Sequence, residues 1–187
     1  MQPRRAPRHA CWRALLAQLV CAASWCMFAL QGSAQTDATS VKATFLYRFS
    51  SLVDWLGKDA EAVTTLCVAG PEQYVRALQR VVSAAGTQRQ FFIRHIEDAS
   101  EVEGCKVLYL TEDAESTREK LRSASGRAVL TVTDASVTPD VRGIVHFTVV
   151  EGRVRFYIDD YLASKSGLSI DSRLLALALS VRRRDSR

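Results

Sequence analysis

Past residue 34, few side chains could carry chemistry: the cysteines Cys67 and Cys105, the histidines His95 and His146, and carboxylates such as Asp134, Asp159 and Asp160. Catalysis needs a nucleophile and base placed together, or several ligands at metal spacing. His95 ends a predicted strand, His146 lies inside another, and neither has a Cys or His at ligand spacing. Adjacent Asp159 and Asp160 would point to opposite faces of a strand, and a helix cap before Tyr161-Leu162-Ala163 explains them better. Cys67-Val68-Ala69-Gly70-Pro71-Glu72 joins a strand to a helix as phosphate loops do, but lacks their further glycines and lysine. No catalytic residue, metal or cofactor is therefore expected. A small ligand has one plausible place, the strand ends near Gly70 and Asp134, where open α/β sheets bind. Asp134 is equally readable as a cap for the following turn.

These residues act where the chain is sent. Arg4, Arg5, Arg8 and Arg13 precede an apolar run from Ala14 to Leu30, and Gly32-Ser33-Ala34 supplies small residues for cleavage before Gln35. Residues 1–34 read as a signal peptide cut near Ala34, 35–40 as a short leader and 41–187 as one domain. The rival reading is a retained anchor, since the run is about as long as the shortest membrane span, roughly 17 residues. Removing the signal changes the composition. Of 25 Lys and Arg, four lie in residues 1–34, which hold no Asp or Glu, so 21 face 20 acidic residues in the remainder. A near-neutral domain without a basic stripe excludes a nucleic-acid partner; Arg182-Arg183-Arg184 reads as a solvated basic tail. Cys11, Cys21 and Cys26 leave as well. Two thiols in an oxidising compartment point to one disulfide, the other reading being free buried cysteines.

The elements that must position these groups alternate. Val41, Phe45, Phe49, Leu52, Val53 and Leu56 recur at helical spacing in an amphipathic helix that Ser40 could cap and Gly57 ends. Strands follow at Leu66–Ala69, Phe91–His95, Lys106–Leu110 and Ala128–Val132, with helices at Glu72–Ala85 and Glu115–Ser123. Alternation of this kind predicts a three-layer α/β fold, a mostly parallel sheet with helices on both faces. Gly143–Val150 and Arg153–Ile158 flank Glu151-Gly152 and predict an antiparallel hairpin at one edge. A last helix is expected from Asp171 to Arg183. In a 2-1-3 strand order the strand holding Cys67 neighbours the one that starts at Cys105, about 4.8 Å away and within disulfide reach. Such a bond could be a staple or a redox-sensitive latch.

The first helix carries the remaining candidates. Phe45 and Phe49 belong to its apolar stripe and read as core, whereas Tyr47 and Trp55 fall off the main stripe. Exposed together, Phe45, Tyr47 and Trp55 would anchor a partner protein.

Taken in order, these segments resemble the YfiR family of small periplasmic proteins. The likeness is carried by VKATFLYRFSSLVDWL (Val41 to Leu56), Leu66-Cys67-Val68-Ala69-Gly70, Gly104-Cys105-Lys106-Val107-Leu108-Tyr109 and Val129 to Asp134. Val154 to Asp159, Ala163, Gly167-Leu168 and Leu174-Leu175 complete it. The resemblance implies a non-enzymatic regulator in the periplasm, acting as a homodimer, that binds the periplasmic part of a membrane-bound diguanylate cyclase or other membrane sensor and lowers cyclic di-GMP. It also implies that Cys67 and Cys105 match one of the family's disulfide pairs. The second pair has no counterpart, because His146 to Phe156 contains no cysteine; Arg48 stands where the family often has Asn, and Leu56-Gly57 where a proline often follows the Trp.

Overall fold

The computed structural model describes residues 38–55, 63–86 and 90–184. The signal segment and its cleavage position lie outside the described residues. Helix α1 spans 38–52 and leads into β1 (Val53–Trp55), β2 (Val63–Ala69), α2 (Glu72–Ala85), β3 (Gln90–His95) and a 3-10 turn (Ala99–Val102). Next come β4 (Val107–Leu110), α3 (Ala114–Ala124) and β5 (Leu130–Asp134). The last part holds β6 (Val145–Val150), β7 (Arg153–Asp159), α4 (Asp160–Lys165), β8 (Leu168–Ile170), α5 (Ser172–Leu177) and β9 (Ser180–Arg182).

Seven strands form the main sheet in the order β3-β2-β4-β5-β6-β7-β9. The first five are parallel, β7 runs antiparallel to β6, and β9 runs parallel to β7. Central strands of such a sheet are covered on both faces, so they bury every side chain rather than alternate ones. Leu66–Ala69, Val107–Leu110 and Leu130–Asp134 are buried throughout. Their side chains divide between two cores. Leu66, Val68, Tyr109, Val132, Phe147 and Phe156 pack with α1 and α2, while Cys67, Ala69, Leu108 and Leu110 pack with Val102 and with Ala124 of α3. The fold is the expected mixed α/β one, with helices on both faces.

The hairpin follows from its turn residues. Glu151 (φ 50°) and Gly152 (φ 73°) are both left-handed, as a two-residue turn between Val150 and Arg153 requires. It does not form the edge itself, because β9 adds outside β7.

Several local expectations are corrected. The buried stripe of α1 is Thr39, Lys42, Ala43, Leu46, Phe49 and Ser50, rotated from the Val41/Phe45 line, because Lys42 is drawn inward by a carboxylate. Ser40 lies within the helix, where its carbonyl accepts the Thr44 hydroxyl at 3.0 Å. The helix stops at residue 52 rather than Gly57: Val53–Trp55 pairs antiparallel with Leu168–Ile170, and the Leu52 carbonyl accepts the Asp171 N–H at 2.9 Å. The last helix is also shorter than expected. It ends at Leu177, Ala178 is extended, and 180–182 pairs with Tyr157–Asp159, since β7's outer backbone groups need partners. Where it is described, the basic end is exposed, and two of its arginines are also paired. Arg182 pairs with Asp159 at 3.1 Å and Arg184 grips both oxygens of Asp160.

Candidate functional site

Asp134 closes β5 and is the most heavily bonded carboxylate among the described residues. It is 1 % exposed. Oδ2 accepts Lys42 Nζ at 2.6 Å and the Tyr109 hydroxyl at 2.8 Å; Oδ1 accepts the Ser136 N–H at 3.0 Å and the Ser136 hydroxyl at 2.6 Å. Burial pulls its pKa upward, but the hydrogen bonds from Lys42 and Ser136 together hold it below the usual carboxylate range. Tyr109 moves the other way: burial, then the Asp134 charge, pushes its phenol well up. All this fastens α1 to the sheet, and the carboxylate's bonding capacity is used within the protein.

Gly70 sits two strands away, at the end of β2. Its φ is +133°, and a Cβ placed there would lie 2.0 Å from Thr111 Oγ1, so the turn into α2 presses against the end of β4. The Gly70 carbonyl accepts His95 Nε2–H at 2.8 Å. Gly70 and Asp134 thus stand at strand ends as expected, each held by its own neighbours.

Cys67 and Cys105 are bonded, with Cα atoms 5.7 Å apart. Both are buried. Cys67 lies in β2 opposite Leu108, and Cys105 stands two residues before β4 rather than at the start of a strand, so the bond ties β2 to the turn that enters its neighbour. Arg94, across from Cys67 on β3, places Nη2 3.3 Å from Cys105 Sγ and 3.7 Å from Cys67 Sγ. That nitrogen also donates to the Glu101 carbonyl and to the Glu103 carbonyl, the latter at 2.8 Å. A groove of about 500 Å³ opens on this corner, lined by Glu103, Cys105, Lys106, Arg127 and Val129 among others. A cation beside the sulfurs would stabilise a thiolate if the bond were reduced.

The aromatic candidates separate. Phe45 is half-buried, its ring 5.3 Å from Phe156 and 6.0 Å from Phe49. Tyr47 rests on Phe91 of β3 at 5.1 Å. Trp55, in β1, packs against the core, and its buried Nε1 has no partner among the described residues. All three are partly covered. Among the described residues the most exposed phenyl ring is Phe92, 58 % accessible on edge strand β3, with Val149 and Val150 exposed at the β6–β7 hairpin. Sequence reading missed these because their exposure depends on which strand ends the sheet and where the hairpin projects.

Neither histidine joins a catalytic group. His95 is exposed on the Gly70 carbonyl, and His146 is buried with Nδ1 2.8 Å from Thr133 Oγ1. Burial, then the Arg142 charge, lowers the His146 pKa, with Asp134 opposing. Among the described residues, no three His, Cys, Asp or Glu side chains group to hold a metal, and no helix is long and apolar enough to cross a membrane. Asp159 caps α4 by accepting the Leu162 N–H at 2.8 Å, the capping role expected of it.

A family model described as YfiR/HmsC-like matches residues 39–179. Comparison with curated proteins finds no match.

Proposed function

Because the chain belongs to the YfiR/HmsC-like family, we propose that it binds the periplasmic sensor part of a membrane-bound diguanylate cyclase and holds it inactive, lowering cyclic di-GMP. The family itself suggests a periplasmic regulator of diguanylate cyclase signalling. The match over 39–179 carries this reading, since it runs from α1 to the threshold of β9. The proposal includes export with cleavage near Ala34, a homodimer, and no catalytic step or cofactor. Apolar side chains on one edge support a protein partner: Phe92 is exposed on β3, and Tyr47 packs on neighbouring Phe91. Phe45 and Trp55 remain part of the proposed contact only through the accessible portions of their rings.

The rival reading, a module presenting a metabolite bound at Gly70 and Asp134, has less support because Lys42, Tyr109 and Ser136 occupy that carboxylate. The deciding experiment mixes the mature protein with the purified periplasmic domains of membrane cyclases encoded near it. Capture of one domain, with higher cyclic di-GMP in a deletion strain, is expected. No capture together with unchanged cyclic di-GMP would overturn the proposal.

A further inference from the structure

His146 and Tyr157 face each other across the β6–β7 ladder, beside Thr133 and on the side of the sheet away from α1. A pocket of about 180 Å³ opens there between β6, β7 and β9, with Arg142, His146, Tyr157, Asp159, Ser180 and Arg182 in its wall. His146 is 2 % exposed, and its Nε2 has no partner among the described residues. Buried polar atoms seldom go unmatched, and one beside a pocket calls for a water, an ion or a ligand as its partner.

The protonation of that ring follows from its neighbour. Thr133 Oγ1 accepts the Gly143 N–H at 2.9 Å and lies 2.8 Å from His146 Nδ1. Its other acceptor, the Val145 carbonyl, is 3.5 Å away, at the outer limit of a hydrogen bond. The single hydroxyl proton therefore goes to Nδ1, and a neutral imidazole carries its own proton on Nε2. The low pKa of this buried ring agrees with a neutral donor.

Charge around the donor is positive. Arg142 lies over the Tyr157 ring at 5.2 Å and makes no ion pair among the described residues. Arg182 pairs with Asp159 Oδ2 at 3.1 Å and stacks on Tyr161 at 4.9 Å. Asp159 is the acidic residue of the wall, and its other oxygen receives the Leu162 N–H. Guanidinium groups match the planar oxygens of carboxylates and phosphates, and the volume corresponds to roughly six waters.

We propose that this pocket binds a small oxyanion, with His146 Nε2–H donating from its buried side and Arg142 supplying the charge. The pocket opens beside Thr133, next to Asp134 but on the other face of the sheet from its carboxylate, and its occupancy does not depend on the cyclase reading. A ligand held here would touch β7 and β9 together, at the edge of the sheet.

The test uses the full mature protein, titrated with inorganic phosphate and, separately, with succinate, against chloride at equal ionic strength. A rise in melting temperature with either anion is expected; phosphate alone would mark a phosphoryl ligand and succinate alone a carboxylate. Arg142→Gln should weaken that binding roughly tenfold or more, the usual worth of a charge-assisted hydrogen bond. Arg142 is exposed, so the variant keeps the fold even if His146→Gln does not. Nitrogen-15 spectra should show the Nε2–H tautomer and an Nε2 shift on binding. No stabilisation by either anion, equal affinity in Arg142→Gln, or an Nδ1–H ring that ignores the anion would each overturn the proposal.

Discussion

Lys42 Nζ and Asp134 Oδ2 meet at 2.6 Å with both side chains almost wholly buried, joining α1 to the end of β5 across 92 residues of sequence. A buried pair of this kind adds little over an apolar pair of the same shape, but losing one partner strands the other charge. The pair therefore specifies how α1 seats on the sheet.

Lys42→Met should destabilise by about 3–5 kcal/mol, because Asp134 is left as a buried carboxylate with its chief cation gone. Asp134→Asn should cost a comparable amount by stranding Lys42. Urea denaturation reads both losses. Equal stability of Lys42→Met and wild type would show that the pair is not intact in solution.

Acid should act in two stages. His146 has a folded pKa below its ordinary 6.5, so its contribution is complete above that value and declines as pH falls through the folded value, where the unfolded state binds the extra proton. Asp134 and Asp171 also titrate lower when folded, Asp171 at about 2 against 3.8. Their share is present above 3.8 and lost as pH falls below it. Denaturation midpoints measured across acid pH should bend twice, and His146→Gln should remove the upper bend.

Reducing the Cys67–Cys105 bond reopens a loop of sequence separation 38 and should cost about 4 kcal/mol on the chain-entropy model. Denaturation with and without dithiothreitol measures this. Once reduced, Cys105 should alkylate faster than Cys67, since it lines the groove and lies nearer Arg94. Equal labelling of the two thiols would contradict that electrostatic role for Arg94.

Gly70→Ala should destabilise by at least about 1–3 kcal/mol, from a side chain forced to positive φ and from collision with Thr111 Oγ1. Thr111→Ala in the same chain should restore only part, since the Thr111 carbonyl oxygen still lies 3.0 Å from the new Cβ. Full rescue in thermal melts would mean the backbone conformation costs nothing.

Glu151→Asn should stabilise by roughly 0.5–1 kcal/mol, because Glu151 holds φ 50° in a turn that favours Asn before Gly. A melting temperature unchanged or lowered would refute it.

Much of this fold is written locally. The α2 boundaries, the alternation of strands and helices and the Glu151-Gly152 turn rest on periodicity and turn chemistry, which act over a few residues. The placing of Cys67 beside the strand after Cys105 needed only the ordinary order of a doubly wound sheet. Where partners decide the outcome, the local signal misleads. Leu and Ala from 174 to 179 read as one long helix, yet the open backbone of β7 claimed 180–182 as a strand. Val53–Trp55 looked like the last turn of α1 until Leu168–Ile170 offered it a ladder. No local pattern singled out Lys42, while Asp134 read as a strand-end carboxylate and His146 as a residue inside a strand. The Lys42–Asp134 pair and the unmatched Nε2 of His146 exist only once distant segments are packed, because a charge or a donor is costly only when folding removes the water around it.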